Sequence, residues 1–353
     1  MTARQDSLVK KRPTMRDVSE AANVSMFTVS RAITTGEGVS AATRAHVRSI
    51  AAELGYVPNQ FARTLRGGST RTVGILAANT LNPYYSTLVA SIEHVLRERG
   101  YHGLVMDAVL DGEYQTDREN AFVDDLLQQQ VAAVLLTYSI SSENASRLRE
   151  QGVELMFVDS EPPPGFEDLS SVTPDNYSGS RAIGDHIAAH GYAGPWAFIG
   201  FPQNYGARSP RQAGFTDAAH AAGAEVELIE SRNDAESSYL ATSAYLDARP
   251  TPPRVIFATN ELLFQGMLRS TRERGLRVPD DIAVVAYDEF AWASLLDPAV
   301  TVVDQHVSTI GTVAATALLA ALDGRPAAAG RRTQIRSELI VRRSCGCTLT
   351  PEN

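Results

Sequence analysis

The sequence predicts two kinds of fold in one chain: a small all-α region near the N-terminus and a long α/β region after it. Apolar residues recur at helical spacing over residues 14–66, between capping residues and tight turns. From Thr72 onward, short apolar runs alternate with amphipathic segments for roughly 270 residues, which is typical of parallel, doubly wound sheets. This length favours two such lobes, because domains usually span roughly 100 to 200 residues.

The first two predicted helices are joined by a tight turn. Thr14 and Asp17 have the spacing of a capping box at the start of a helix over residues 15–22. Asn23 ends that helix, because asparagine tolerates the left-handed conformation that a tight turn needs. Ser25 then caps the second helix, whose apolar residues again fall at helical spacing.

A third helix and a short fourth helical segment complete the N-terminal region. The third helix starts at Ser40 and ends at Gly55, a residue type that commonly follows a helix. Pro58 interrupts the pattern, and a short helical segment over Gln60–Arg66 precedes a flexible Gly-Gly-Ser joint. The predicted domains are a loose arm at 1–13, a helical domain at 14–58, a hinge helix and linker at 59–71, an α/β region at 72–347 and a tail at 348–353.

Eight apolar runs in the α/β region are candidate strands, since they are short and bounded by turn residues. They are Val73–Ala77, Leu104–Asp107, Ala133–Thr137, Leu155–Val158, Trp196–Ile199, Val226–Ile229, Val255–Ala258 and Ala283–Ala286. We assign about 72–172 and 304–330 to the first lobe, and about 173–303 and 331–347 to the second.

Charge is distributed unevenly along the chain. The 353 residues carry a formal net charge of −9, yet residues 1–71 hold eleven basic and five acidic side chains. The N-terminal region is therefore at +6 and the remainder at −15. A basic region on an acidic body indicates that the first part binds a polyanion.

The two cysteines, Cys345 and Cys347, lie close together near the C-terminus. The sequence shows no partner cluster that would complete a zinc site, so it predicts reduced, inert thiols and neither metal nor cofactor. No apolar leader and no run of roughly 18 apolar residues is visible. We therefore expect a soluble, cytosolic protein.

An ordered set of motifs identifies the family that this chain resembles. Residues 14–68 contain five motifs in a fixed order. They are D-V in the first helix, V-S-x-x-T-V-S-R in the turn and second helix, V-S-x-x-T-R at the start of the third helix, then L-G-Y-x-P-N, and finally A-R-x-L in the hinge. This stretch resembles the DNA-binding head of the lactose/galactose repressor (LacI/GalR) family. The resemblance continues through R-T-V-G-I-L, N-P-Y-Y, P-D-N-Y-S-G, A-T-N-E, V-V-A-Y-D-E and L-I-V-R-R-S, and so covers nearly the whole chain.

The resemblance implies a helix-turn-helix head and a sensor of the type I periplasmic-binding-protein-like fold with two doubly wound lobes. It implies a homodimeric transcription regulator, a repressor, that binds double-stranded operator DNA and a small effector. A sugar or sugar derivative is the first expectation for the effector, and a purine or nucleoside is the alternative. The C-terminus shows no leucine heptads, so a tetramer-forming tail is not predicted.

Two other classes of protein are weighed against this interpretation. An enzyme is not predicted, because no P-loop, G-x-G-x-x-G, G-x-S-x-G or H-E-x-x-H motif occurs and the seven histidines show no ligand spacing with cysteines or acids. A solute-binding protein outside the cytoplasm would share the sensor fold. It would need a signal peptide and would not carry a basic helix-turn-helix head.

The predicted recognition helix begins with Met26 and Phe27. Arg31 is the candidate for direct base contact, because its guanidinium matches the two acceptors of guanine. Met26 and Phe27 would read thymine methyl groups or groove shape, with packing in the small core as the alternative for Phe27. The candidate caps or phosphate ligands in this domain are Thr14, Ser25, Thr28 and Ser30.

The resemblance also implies a hinge that folds on the operator and pairs with that of the dimer partner. Leu65 matches the position that enters a central minor-groove step, where an apolar wedge unstacks bases and bends the DNA. Asn59, Ala62 and Arg63 would line the groove or its phosphates. A plain linker is the alternative.

The candidate ligand site begins at the carboxyl end of the first strand. Tyr84 and Tyr85 follow an Asn-Pro helix start there, where open parallel sheets bind ligands, and their rings can stack on a sugar or a purine. Packing of one of them in the core is the alternative. The resemblance adds Asp159, Arg208, Asn260 and Asp288, with Arg211 or Ser209 as the alternative to Arg208. The chain departs from the family at Glu261, where aspartate is usual, and at Ala235, where some members have a stacking tryptophan.

Overall fold

The computed structural model describes residues 13–33, 38–57, 70–107, 109–110, 113–201, 206–325 and 329–348. The chain separates into two compact units, with the division between Thr70 and Arg71. The first unit contains the N-terminal helices and the second contains the α/β region. The predicted hinge helix at residues 60–66 lies outside the described residues.

The N-terminal unit has the three predicted helices: α1 (Met15–Ala22), α2 (Met26–Ile33) and α3 (Ala41–Leu54). The capping box at Thr14 is confirmed, because its backbone N–H donates to Asp17 Oδ2 at 2.6 Å and its hydroxyl accepts from the Asp17 N–H at 3.3 Å. Asn23 ends α1 at φ 52° and ψ 43°, and Gly55 ends α3 at φ 68°. Both residues therefore adopt the left-handed conformation expected of them.

A small apolar core holds these three helices together. Val18, Val29 and Val47 contribute one fully buried side chain from each helix. Alanines at positions 22, 32 and 51 fill the space between the valines and let the helices approach closely. The unit therefore depends on short side chains, and most of the polar surface of its helices stays in water.

The α/β unit contains eight further α-helices among the described residues, most of them following a strand. They are α4 (Pro83–Glu98), α5 (Thr116–Gln128), α6 (Ser142–Glu150), α7 (Asn176–Ala189), α8 (Arg208–Ala221), α9 (Ala235–Asp247), α10 (Glu261–Glu273) and α11 (Val307–Leu322). No helix of the described chain has both the length and the apolar character that crossing a bilayer requires.

The strands form two six-stranded sheets, one in each lobe, and a two-stranded ribbon. The strands are β1 (Thr72–Ala77), β2 (His102–Asp107), β3 (Val109–Leu110), β4 (Glu113–Tyr114), β5 (Ala133–Leu136), β6 (Glu154–Val158), β7 (Ser170–Pro174), β8 (Trp196–Gly200), β9 (Val226–Glu230), β10 (Val255–Ala258), β11 (Ala283–Tyr287), β12 (Thr301–Asp304), β13 (Arg332–Ile335) and β14 (Glu338–Ile340).

The first sheet has the order β13-β7-β6-β5-β1-β2 and the second has the order β14-β12-β11-β10-β8-β9. Every pairing in the two six-stranded sheets is parallel, except that β14 runs antiparallel to β12.

All eight predicted strands are present, with ends that differ by at most two residues. The assignment of residues 331–347 to the second lobe is wrong at its start. Strand β13 pairs in parallel with β7, with Arg332 opposite Ser171 and Ile335 opposite Pro174, so it forms the edge of the first sheet. Its alternation of polar and apolar residues is that of an exposed edge strand, and the sequence alone does not say which sheet it joins.

The predicted isolation of the two cysteines is also wrong. The fold brings His186 and His190 of the α7 region next to Cys345 and Cys347. The partners were missed because more than 150 residues separate them from the cysteines along the chain.

Each sheet is covered on both faces, and helices α7 and α8 form the closest helix pair in the second lobe. A Cβ atom at Gly214 would lie 2.3 Å from the Tyr177 carbonyl oxygen, and one at Gly184 would lie 2.4 Å from the Ala218 Cβ. These two glycines therefore allow the helix backbones to approach each other. Phe215 of α8 then packs against Phe257 of β10, with ring centroids 4.9 Å apart.

Replacing Gly214 by alanine should destabilise the α/β unit by about 1–3 kcal/mol, because the new methyl group meets backbone that cannot move without shifting α7. The measurement is the unfolding temperature by differential scanning calorimetry. Gly206→Ala is the matched control, since its Cβ would meet no atom of the described residues within 4 Å. Equal unfolding temperatures for the two variants would contradict this account of the helix pair.

Candidate functional site

The carboxyl ends of the central strands of both sheets surround one cavity of about 350 Å³. The first lobe contributes residues that follow β1, β5 and β6, among them Thr137 and Asp159. The second contributes residues that follow β8, β10, β11 and β12, among them Asn260, Asp288 and Gln305. This is the edge at which open α/β sheets bind ligands.

Two tyrosines form part of the wall on the side of the first lobe. Asn82 caps α4 by accepting a hydrogen bond from the Tyr84 N–H at 3.0 Å, which fixes the start of the helix beside the cavity. Tyr84 and Tyr85 are both buried and meet edge to face, with ring centroids 5.1 Å apart. Both rings belong to the core of the first lobe and also line the cavity. Packing in the core and contact with a ligand are therefore compatible for these two residues.

Asp159 lies at the end of β6, and only one of its two carboxylate oxygens accepts a hydrogen bond from the described residues. Its Oδ2 accepts a hydrogen bond from the Tyr85 hydroxyl at 3.2 Å. Its Oδ1 and the Tyr84 hydroxyl are buried without a hydrogen-bond partner among the described residues. Burial raises the pKa of Asp159 to about 6, and the positive charge of Arg211 opposes this shift. A hydroxyl group of a ligand would satisfy the remaining oxygen.

Asp288 occupies the matching position in the second lobe, at the end of β11. Gln305 donates its side-chain N–H to Asp288 Oδ1, and the Glu261 backbone N–H donates to Oδ2 at 3.4 Å. Burial raises the pKa of Asp288, and Arg211 again opposes the shift. Asp159 and Asp288 both have positive φ, at 56° and 80°. Backbone strain of this kind is common where a side chain must point into a site.

Arg211 is the cation of the cavity, and the prediction of Arg208 for this role is wrong. Arg208 is fully buried away from the cavity lining, where it donates to the Phe201 carbonyl at 2.9 Å and pairs with Glu230 at 2.7 Å. Arg211, one helical turn further along α8, lines the cavity. Ser209, the other alternative, is exposed and does not line it.

Three hydrogen bonds hold the Arg211 guanidinium in place. It donates to the Asn176 side chain at 2.8 Å, the Thr259 carbonyl at 2.6 Å and the Gln305 side chain at 3.0 Å. Its plane lies over the Tyr287 ring, with the guanidinium carbon 3.9 Å from the ring centroid. Because the guanidinium has five N–H donors, further ones remain for a ligand.

Two amides of the site, Asn233 and Gln305, are not among the residues predicted from the sequence. Asn233 lies in the loop after β9 and accepts a hydrogen bond from Asn260 at 2.6 Å, while Asn260 also caps α10. Gln305 follows β12, a strand that was not predicted. A polar residue shortly after a strand was the available signal, and it was usable for Asn233, three residues after the end of β9, because β9 was predicted.

Helix α2 presents an exposed surface at its N-terminal end. Met26 and Phe27 are 49% and 65% exposed, so core packing of Phe27, the alternative, is wrong. The guanidinium carbon of Arg31 lies 4.9 Å from the Phe27 ring centroid, and the Arg31 side chain is on the surface. Ser25 caps the helix by accepting from the Thr28 N–H at 3.1 Å.

Ser30 and Thr14 are two further residues of this unit that the sequence predicts as caps or phosphate ligands, and they differ in their exposure. Ser30 is buried against the core, so its prediction as a phosphate ligand is not supported. Thr14 is exposed at the start of α1, where its hydroxyl donates to Asp17 at 2.8 Å. The four predicted hinge contacts lie outside the described residues; they are Asn59, Ala62, Arg63 and Leu65.

Comparisons with known proteins match both units. The family model for bacterial regulatory proteins of the lacI family matches residues 14–59, and the model for a periplasmic binding protein-like domain matches residues 184–345. The HTH-type transcriptional repressor CytR of Escherichia coli (strain K12) is 28% identical over 334 residues, or 94% of this chain and 96% of CytR.

Two solved structures extend the likeness over nearly the whole chain. The Lac repressor dimer bound to operator and the anti-inducer ONPF has a TM-score of 0.79 at 25% identity, over 95% of this chain and 99% of that chain. The complex of the transcriptional regulator CelR with cellobiose has a TM-score of 0.69 at 29% identity, over 94% and 100%. The chain therefore combines a helix-turn-helix domain of the lacI family of bacterial regulatory proteins with a periplasmic-binding-protein-like domain, and it has the fold of the Lac repressor.

Proposed function

We propose that the chain is a homodimeric repressor that acts on chromosomal DNA in the cytoplasm and whose operator affinity is set by a sugar or sugar derivative. In this proposal residues 14–58 read the operator, residues 59–71 form the hinge, and residues 72–347 bind the effector and the second copy. The observation that carries it is the cavity in which Asp159, Asp288 and Arg211 converge.

The chemistry of the cavity favours a ligand rich in hydroxyl groups. Carboxylates accept hydrogen bonds from hydroxyls, and Arg211 and Asn260 can donate to the same class of group. The Tyr84 and Tyr85 rings offer apolar surface for the C–H face of a sugar. A volume of about 350 Å³ is at the small end of the range for ligand sites, roughly 300–1,000 Å³. The cellobiose carried by the related CelR is a ligand of this class.

The exposed end of α2 supports the DNA-binding part of the proposal. A helix that enters the major groove reads bases with the side chains near its N-terminal end. Arg31 offers the donors that guanine needs, and Met26 and Phe27 offer apolar surface for thymine methyl groups. Ser25 and Thr28 lie at the same end, where hydroxyls and backbone N–H groups can bind phosphate.

Coupling between the two sites follows from the position of the cavity between two lobes. A ligand that contacts both lobes favours one relative orientation of them. In a dimer, that change would favour or disfavour pairing of the two hinges and insertion of Leu65 into the minor groove. The effector must therefore bind the free and the operator-bound protein with different affinity.

Selection of bound duplexes from a random-sequence pool should enrich a pseudo-palindrome, since the two heads of a dimer contact equivalent half-sites.

Arg31→Ala should weaken binding to that site by about 1–3 kcal/mol and relax the preference at one base pair in each half-site. Leu65→Ala should weaken DNA binding at every selected sequence at which the DNA must bend, because the variant removes the apolar wedge. Arg48→Ala, which removes an exposed arginine of α3, is the charge-matched control. Failure to enrich any site, with and without pools of sugars and purines, would contradict the proposal.

Arg211→Lys should weaken effector binding by at least tenfold, because lysine cannot reproduce the planar set of donors at this position. The measurement is calorimetric titration with the effector found by thermal-shift screening of sugars, with nucleosides and purines as the second panel. Arg249→Lys is the control, since Arg249 pairs with Glu227 outside the cavity lining. Unchanged affinity in Arg211→Lys would place the effector elsewhere.

Effector affinity should fall as the pH drops through about 6. The pKa of Asp159 is raised to about 6, so the carboxylate is ionised at pH 7.5 and mostly protonated at pH 5. Protonation removes an acceptor for a ligand hydroxyl, which predicts a loss approaching tenfold per pH unit below pH 6. Titrations between pH 5 and 8 test this, and Asp159→Asn should bind weakly and lose the transition near pH 6. A profile that rises toward low pH would show that the protonated acid is the binding form.

A further inference from the structure

Four side chains that the cavity does not use lie together in the second lobe. His186 is in the last turn of α7 and His190 directly follows that helix, so the two are one turn apart on the same face. Cys345 and Cys347 follow β14 and are separated by Gly346. The four ligand atoms all lie within 4.8 Å of one another.

Four of the six separations between these atoms match the edges of a tetrahedral metal site, and all six are within 4.8 Å. The two Nε2 atoms are 3.4 Å apart. Cys345 Sγ is 3.3 Å from His186 Nε2, and Cys347 Sγ is 3.5 Å from His186 Nε2 and 3.4 Å from His190 Nε2. Zinc bonds of about 2.0–2.1 Å to nitrogen and about 2.3 Å to sulfur place the corners of a tetrahedron about 3.3–3.8 Å apart.

The residues around the cluster hold the four groups in this arrangement. Tyr192 stacks on the His190 ring at 5.2 Å between centroids, and its hydroxyl donates to the Cys345 carbonyl at 2.9 Å. The Thr301 hydroxyl donates to Cys345 Sγ at 3.1 Å. Gly346 has a φ of 99°, and a Cβ there would lie 2.0 Å from the Tyr192 hydroxyl oxygen. Outer hydrogen bonds of this kind orient metal ligands.

We propose that His186, His190, Cys345 and Cys347 bind one Zn²⁺ ion. Two nitrogen and two sulfur ligands in a tetrahedron suit Zn²⁺, and two thiolates neutralise its charge in a partly buried place. Four protein ligands fill the coordination shell, so the ion has a structural role. It joins the end of α7 to a segment more than 150 residues further along the chain.

The position of this site separates it from the effector cavity. Helix α7 has 14 residues and is therefore about 21 Å long. Asn176, at its first turn, accepts a hydrogen bond from Arg211 of the cavity, whereas His186 and His190 are at its other end. The ion would stabilise the second lobe without touching the effector.

The test uses the full-length chain, free of any histidine tag and purified under reducing conditions without chelator. Elemental analysis should find one zinc per chain. Replacement by Co²⁺ should give the visible absorption of a four-coordinate ion and thiolate-to-cobalt charge transfer, saturating at one equivalent. Cys347→Ser and His190→Asn should each weaken Zn²⁺ binding by more than about 100-fold, since even changes outside the ligands cost roughly 10–100-fold. His220→Asn, which changes an exposed histidine, is the control and should bind like the unaltered chain.

A second measurement does not depend on how well a variant folds. Chelation of the unaltered chain should lower its unfolding temperature, and one equivalent of Zn²⁺ should restore it. Absence of Zn²⁺ and Co²⁺ binding by a chain whose two thiols are shown to be free by titration would overturn the proposal. A disulfide between Cys345 and Cys347 in freshly isolated protein would also overturn it.

Discussion

The polar lining of the cavity depends on one buried cation, the guanidinium of Arg211. Its three hydrogen bonds reach the start of α7, the end of β10 and the residue after β12, so one side chain joins three separate elements. It also opposes the rise in the pKa of Asp159 and Asp288 that burial causes. Without this positive charge, two buried carboxylates near one cavity would be costly to keep ionised. The polar lining of the cavity therefore forms around Arg211.

The chain passes between the two sheets at three places, and Gln305 in one of these passages lines the cavity. The passages run from β7 to α7, from β12 to α11 and from β13 to β14. Asn176 and Gln305, which both accept hydrogen bonds from Arg211, lie at the first two passages. Arg211 therefore contacts two of the three segments that connect the lobes.

Features set by neighbouring residues were predictable from the sequence, and features set by distant contacts were not. Thr14, Asn23 and Gly55 were assigned correctly because capping depends on a few adjacent residues. The choice between Arg208 and Arg211 failed because both lie on α8 one turn apart, and only the packed structure shows which one lines the cavity. The edge strand β13 and the histidine partners of Cys345 and Cys347 were missed for the same reason. Local patterns carry no information about which remote segment packs beside them.

The positive φ of Asp159 and Asp288 restricts which residues these two positions of the cavity can accept. Glycine, asparagine and aspartate are among the residues that adopt such a backbone at the lowest cost, so many replacements there would strain the main chain as well as change the charge. Tyr84 and Asn233 carry no such restriction, since neither has positive φ. The two carboxylates are therefore the part of the cavity that the backbone restricts, and these neighbours are a part that it leaves unrestricted.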